Sequence, residues 1–180
     1  MTVLVTAASK HGATSGIAAR IGASLAERGV EVDVKPPDEV QDLAGYEAFV
    51  VGSGVYMGRW LKSASAFVRA NADKLSEHPT WLFSSGPIPS DRSVPADPRD
   101  AANGDKLGET VHARDHKVFA GKLQRSELSF AERAVVRVAH AGEGDHRDWQ
   151  AVDEWAAAIA DDLQEAQRGA VCRLEGATTS

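Results

Sequence analysis

The chain has 180 residues, 43% of them hydrophobic and 26% charged, which is enough to bury one core and too short for two full-sized domains. The formal charge is -6 and the pI about 5.5, which argues against nucleic acid or an anionic membrane surface as the main partner. A lone cysteine, Cys172, excludes a disulfide framework and a multi-cysteine metal site. The segment Met1 to Val5 lacks the basic stretch and the apolar length of a signal peptide, and no run nears the roughly 20 apolar residues of a spanning helix. The expectation is a soluble, cytoplasmic single domain.

Thr2 to Thr6 reads as a short buried strand, followed by a loop of small residues, Ala7 to Ala13. Ile17, Ile21 and Leu25 then recur on one helical face, and Gly29 stands where a helix C-terminus favours glycine. Val30 to Val34 alternates apolar and charged residues, as a strand near a sheet edge does. The next unit repeats the plan: a strand Ala48–Val51, a Gly-rich loop Gly52–Gly58, and a helix from Lys62 to Asp73 that buries Ala64, Phe67 and Val68. Thr80–Ser84 is a fourth strand and Lys117–Ala120 a fifth. A final helix runs from Trp149 to Ala166 with Val152, Trp155, Ile159 and Leu163 inward; residues 169–180 read as a flexible tail behind a domain of residues 1–168. Five short apolar strands separated by helices imply an α/β fold, a parallel sheet covered on both faces.

Two stretches do not fit this alternation. The region 86–115 holds Pro87, Pro89, Pro95 and Pro98 and reads as a long functional loop with one short helix near Asp105–Ala113. The insertion 123–148 carries an amphipathic piece, Phe130–Ala139.

In open α/β sheets ligands bind at the carboxyl ends of strands, and three loops lie there. Ser9, Lys10, His11, Gly12, Ala13, Thr14 and Ser15 offer hydroxyls, a glycine, a lysine and the free N–H groups of a helix start, a setting that favours a phosphate. Simple capping by Thr14 or Ser15 is the bland alternative, and the residues alone leave both open. The loop Ser53, Gly54, Val55, Tyr56, Met57, Gly58 is Gly-rich and aromatic; glycines admit a flat ligand against the backbone, and Tyr56 is available to cover one of its faces. Trp60, by contrast, reads as a core residue at the start of a helix. Ser84, Ser85, Gly86 and Pro87 also suit close backbone contact, and a plain turn explains them equally well.

Other chemistries lack their residues. Gly52, Gly54 and Gly58 echo a dinucleotide fingerprint but follow the third strand, with no acidic residue ending the next one. There is no Gly-Lys-Ser or Gly-Lys-Thr phosphate loop and no G-x-S-x-G nucleophile turn. No aspartate lies between Val3 and Ala8 to accept a phosphoryl group. Of the six histidines only His112 and His116 are four apart, and the second begins a strand, so most read as surface residues.

The ordered set Ser9–Thr14, Gly52–Trp60, Ala66–Asn71, Phe83–Gly86, Lys117–Leu123 and Gly144–Trp149 resembles the flavodoxin superfamily. The likeness is greatest to the flavodoxin-domain family that includes menaquinone-dependent protoporphyrinogen IX dehydrogenase. It covers residues 2–166 and implies a three-layer sandwich with a five-stranded parallel sheet in order 2-1-3-4-5. It also implies noncovalent FMN: Ser9, Lys10, His11, Gly12, Ala13 and Thr14 at the phosphate, with Ser53 to Gly58 and Ser84 to Pro87 beside the ring. His11 stands where flavodoxins usually have a hydroxyl residue, and Lys10 offers a compensating charge. No catalytic side chain and no metal are expected, because the flavin carries the redox chemistry. The implied partners are a redox protein or a quinone-like small molecule. The resemblance implies no nucleic acid, membrane contact that is peripheral at most, and allows a homodimer. Ser129–Ala139 lacks the basic, aromatic character of members that oxidise protoporphyrinogen, so an electron carrier or small oxidoreductase is the leading expectation. The porphyrin dehydrogenase and a cofactor-free binding module are the alternatives.

Overall fold

Alternation within the strands decides the architecture. In β1 (Thr2–Ala8) Val3, Val5 and Ala7 point to one face of the sheet and Leu4 and Ala8 to the other, and all are buried. A strand apolar on both faces needs a helical layer on each side. The computed structural model describes residues 1–56, 58–86, 98–123 and 144–177. In it β1 is flanked by β2 (Glu31–Lys35) and β3 (Ala48–Tyr56), and β5 (Thr80–Gly86) and β6 (Asp115–Ala120) continue the sheet. All these pairs are parallel, in the order β2-β1-β3-β5-β6. Counting the five long strands alone, this is the expected 2-1-3-4-5. The two-residue β4 (Arg59–Trp60) folds back antiparallel onto β3, and β7 (Lys122–Leu123) pairs with β8 (Gly144–Asp145) in a separate ribbon.

Helices α1 (Ala13–Ala26) and α5 (Trp149–Ala177) cover one face. Ile17, Ile21, Leu25, Val152, Trp155, Ile159 and Leu163 pack there on Val3, Val50, Trp81, Phe83 and Phe119. Helices α2 (Lys62–Ala70), α3 (Ala72–Glu77) and α4 (Pro98–Thr110) cover the other, where Phe67, Val68, Leu75 and Leu107 meet Leu4, Phe49, Val51 and Leu82. As its alternation implies, β2 lies at the sheet edge, with Val34 43% exposed.

Five expectations need correction. The Gly-rich stretch Gly52–Gly58 is not all loop: β3 continues through it to Tyr56, and β5 continues to Gly86, so Ser53–Tyr56 and Ser84–Gly86 are strand ends. Trp60 does not begin a helix; it lies in β4, and α2 starts at Lys62. The single helix expected over Lys62–Asp73 is two, broken at Asn71, whose side-chain amide donates to the Phe67 carbonyl and ends α2. The region 86–115 holds a longer helix than Asp105–Ala113, because Pro98 sits in the first turn of α4, where its missing N–H costs nothing. The last helix continues past Ala166 to Ala177, passing Gly169 and Gly176, with Gln167, Arg168, Ala170, Arg173, Leu174 and Glu175 as its helix formers. The amphipathic piece Phe130–Ala139 lies outside the described residues.

Candidate functional site

Strand register brings the three loops together. Ala8 is opposite Ser53, and Gly54 is opposite Ser85, so the carboxyl ends of β1, β3 and β5 form one rim. At that rim the chain turns from β1 into α1 through Gly12, whose φ of +76° suits glycine and around which a Cβ would meet nothing within 4 Å. The first helical hydrogen bond of α1 runs from the Gly16 N–H to the Gly12 carbonyl, at 2.9 Å. The N–H groups of Ala13, Thr14 and Ser15 therefore precede the ladder. No side chain caps this end, no acidic residue lies in the first turn, and these N–H groups find no acceptor among the described residues. Three unspent donors at the positive end of a 14-residue helix, beside Lys10 and His11, form an anion cradle. The turn fits a phosphate.

The second loop closes against the first. The Lys10 ammonium lies 5.5 Å from the Tyr56 ring centroid, and the His11 ring is tilted against Tyr56 at 6.3 Å. Thr14 is buried, with its hydroxyl 3.2 Å from where a Cβ on Gly54 would stand. Ser9, His11, Ala13, Val55, Tyr56 and Gly58 are half-buried, Lys10 and Gly12 exposed, and Gly54, Ser85 and Gly86 buried. Met57 and Pro87 lie outside the described residues.

Two hydroxyls of the expected set are used inside the protein. The Ser53 hydroxyl accepts the Leu61 N–H at 2.9 Å and donates to the Gly54 carbonyl, which fixes the start of α2. Ser84 sits at the centre of a buried chain. The Trp60 indole N–H donates to its oxygen at 2.8 Å, and His116 Nε2 lies 2.8 Å away. The ionised Asp105 carboxylate only accepts, so the His116 Nδ1–H donates to it, at 2.6 Å; in the neutral ring Nε2 is then an acceptor and the Ser84 hydroxyl donates to it. These side chains project into the α2–α4 layer, whereas Thr14 lies on the α1 side. Ser84 is fully buried, which removes any nucleophilic role for this serine–histidine–aspartate chain. His116 is accordingly not the surface residue that its sequence context implies: its side chain is 9% exposed and joins β6 to β5 and α4.

Sequence reasoning also missed the reach of Arg147. Its guanidinium grips Asp145 through two hydrogen bonds, stacks over the Trp149 ring at 4.4 Å and points Nη1 toward the Ala13 carbonyl. The hydrogen bonds from Arg147 hold the Asp145 carboxyl down at about pH 2, so it stays ionised and balances the guanidinium beside the α1 turn. Asp148 caps α5 by accepting the Ala151 N–H at 3.0 Å. No local pattern announces the contact of residue 147 with residue 13. Among the described residues no cluster of side chains is suited to a metal ion, and no helix is long and apolar enough to cross a membrane.

Comparison with known proteins agrees with this geometry. Residues 4–150 match the family model described as flavodoxin domain. No curated protein matches. Among solved structures the chain is similar to a flavodoxin from the domain Archaea, at 17% identity and a TM-score of 0.59, over 91% of this chain and 99% of that one. A variant flavodoxin from Pseudomonas aeruginosa gives 17% identity and a TM-score of 0.60 over the same shares. The rubredoxin oxygen:oxidoreductase of Desulfovibrio gigas gives 12% and 0.62, over 91% of this chain and 36% of that one. At such identities the likeness is one of fold, and the family rests on the matched model, which spans the cradle, most of β1 and the other four long strands: the chain belongs to the flavodoxin domain family.

Proposed function

We propose that this protein binds FMN noncovalently at the rim of β1, β3 and β5 and serves electron transfer to a redox partner protein. The observation that carries the reading is the set of unspent N–H groups on Ala13, Thr14 and Ser15, at the helix start that directly follows the first loop, where the turn at Gly12 opens to space. A flavin bound there supplies the one- or two-electron redox chemistry, and no protein nucleophile is needed. The chain's own part is to bind and orient. The first turn of α1 and Lys10 hold the phosphate. Tyr56 lies over Lys10 and His11 and helps set the width between the first two loops. The backbone of Ser53–Gly58 and Ser84–Gly86 borders the ring, and the internal hydrogen bonds of Ser53 and Ser84 keep those strand ends rigid.

The finer expectations are separable. Oxidation of protoporphyrinogen with menaquinone distinguishes a dehydrogenase from a carrier, which turns over only with a protein partner. The direct test is a visible absorption titration of the purified protein with FMN. A saturable shift and resolution of the flavin bands at about one equivalent support the reading. A spectrum equal to that of free FMN at every ratio contradicts it and leaves a cofactor-free member of the family.

A further inference from the structure

Beyond the rim, on the α2 side, lies a groove of about 610 Å³ bordered by Gly58, Arg59, Trp60, Lys62, Arg69 and Lys106. Lys62, Ser65, Ala66 and Arg69 fall at i, i+3, i+4 and i+7, so they share one face of α2, opposite the buried Ala64, Phe67 and Val68. Arg59 comes from β4 and Lys106 from α4, so three separate elements contribute basic residues to the border of one hollow. Among the described residues no acidic side chain borders it, although the chain as a whole carries a net charge of -6. None of the four cations has an ion-pair partner among the described residues, and all four are exposed.

Helix polarity adds to this concentration of positive charge. Lys62 is the first residue of α2, and Arg59 precedes it by three, so both stand at the positive end of the helix dipole, where cations are unfavourable. No acidic residue lies in the first turn and no side chain caps it. The helix's first hydrogen bond is Ser65 N–H to the Leu61 carbonyl, which leaves the N–H groups of Lys62, Ser63 and Ala64 without an acceptor among the described residues. Four like charges and an open helix end in one concave site repel one another unless an anion joins them. The volume falls within the range of small-molecule sites. The Trp60 indole, anchored by Ser84, provides a fixed wall.

We infer that this groove binds a small organic polyanion, one bearing two or more carboxylate or phosphate groups. The groove adjoins the proposed flavin site at Gly58, but its cations Lys62, Arg69 and Lys106 lie outside the β1–α1 cradle, so the two bindings are separable. The test is calorimetric titration of the full chain with pyrophosphate and, separately, citrate at 0.15 M KCl, with saturating FMN present and without it. Saturable one-site binding of either probe supports the inference, and the tighter of the two assigns the chemical class. The doubly substituted Lys62→Gln, Arg69→Gln protein should bind that probe about ten-fold more weakly while its FMN titration is unchanged. Both side chains are exposed, so the variant should keep the parent melting temperature, and Arg59→Gln with Lys106→Gln provides an independent pair. Heats of dilution alone, or binding by both variant pairs as tight as the parent's, overturn it. So does loss of probe binding on Lys10→Gln but not on the groove variants, which places the probe at the α1 turn. Tighter binding of a hexaglutamate peptide than of either probe also overturns it, in favour of an acidic protein surface.

Discussion

The two polar clusters at the carboxyl end of the sheet are built in opposite ways. On the α4 side Trp60, Ser84, His116 and Asp105 pass hydrogen bonds from one to the next. Gly104 lets α4 come close enough for this: a Cβ there would overlap the His116 ring and stand 3.0 Å from the Trp60 nitrogen. On the α1 side the backbone N–H groups of Ala13, Thr14 and Ser15 have no acceptor among the described residues, and the turn at Gly12 opens to space. Buried polar groups left unmade are costly, so the closed cluster works as a clasp. The open one lies at the surface, where solvent or a ligand satisfies it. Position at a strand tip alone does not make a serine a ligand; what the rest of the fold leaves unspent does.

The largest effect that separates the two clusters is expected from Ser84→Ala. It leaves the Trp60 N–H and His116 Nε2 without their shared partner, at about 2–4 kcal/mol of unfolding free energy by urea denaturation. Flavin affinity of the folded variant should stay close to the parent's, because the hydroxyl faces the α2–α4 layer. A large affinity loss with unchanged stability would show that the hydroxyl serves the ligand instead. Gly12→Ala reverses the pattern. Its left-handed backbone costs about 1–2 kcal/mol, with no packing penalty in the open space, while FMN binding should weaken about ten-fold in the absorption titration.

The contrast was only partly legible in the sequence. Runs such as Val3–Val5 and Phe49–Val51 and the spacing of Ile17, Ile21 and Leu25 carry a local periodicity, so the five strands and the three layers follow from them. The open cradle was visible for the same reason: Ser9 to Thr14 is one contiguous loop next to a strand and a helix start. The clasp was not, because residues 60, 84, 105 and 116 meet only through the sheet register and the placement of α4. The break at Asn71 depends on a side chain choosing a backbone carbonyl over solvent. In the groove, the i, i+3, i+4, i+7 spacing on α2 is readable, but Lys106 reaches it from a helix whose start the prolines of 86–98 obscure.

Smaller effects refine the support of the cradle. Asp148→Ala removes the cap of α5 and should cost about 1 kcal/mol in thermal or urea unfolding, with FMN affinity retained. Asp145 provides a pH signature. Its carboxyl is held below its ordinary value, to about 2, by Arg147, so its contribution is complete above about pH 4 and is lost as pH falls toward 2. The melting-temperature difference between the parent and Asp145→Asn should be constant from neutral pH down to about 4 and vanish near 2. A difference that instead grows on acidification would contradict the Arg147–Asp145 brace.

The central claim is that the first turn of α1 receives an anionic group of FMN. Amide proton–nitrogen spectra of the labelled protein, recorded while FMN is added, test it directly. The amides of Ala13, Thr14 and Ser15 should shift together and saturate in step with the change in flavin absorbance. Unmoved signals from these three residues at saturating FMN, with shifts confined to the groove around Lys62 and Arg69, would contradict it.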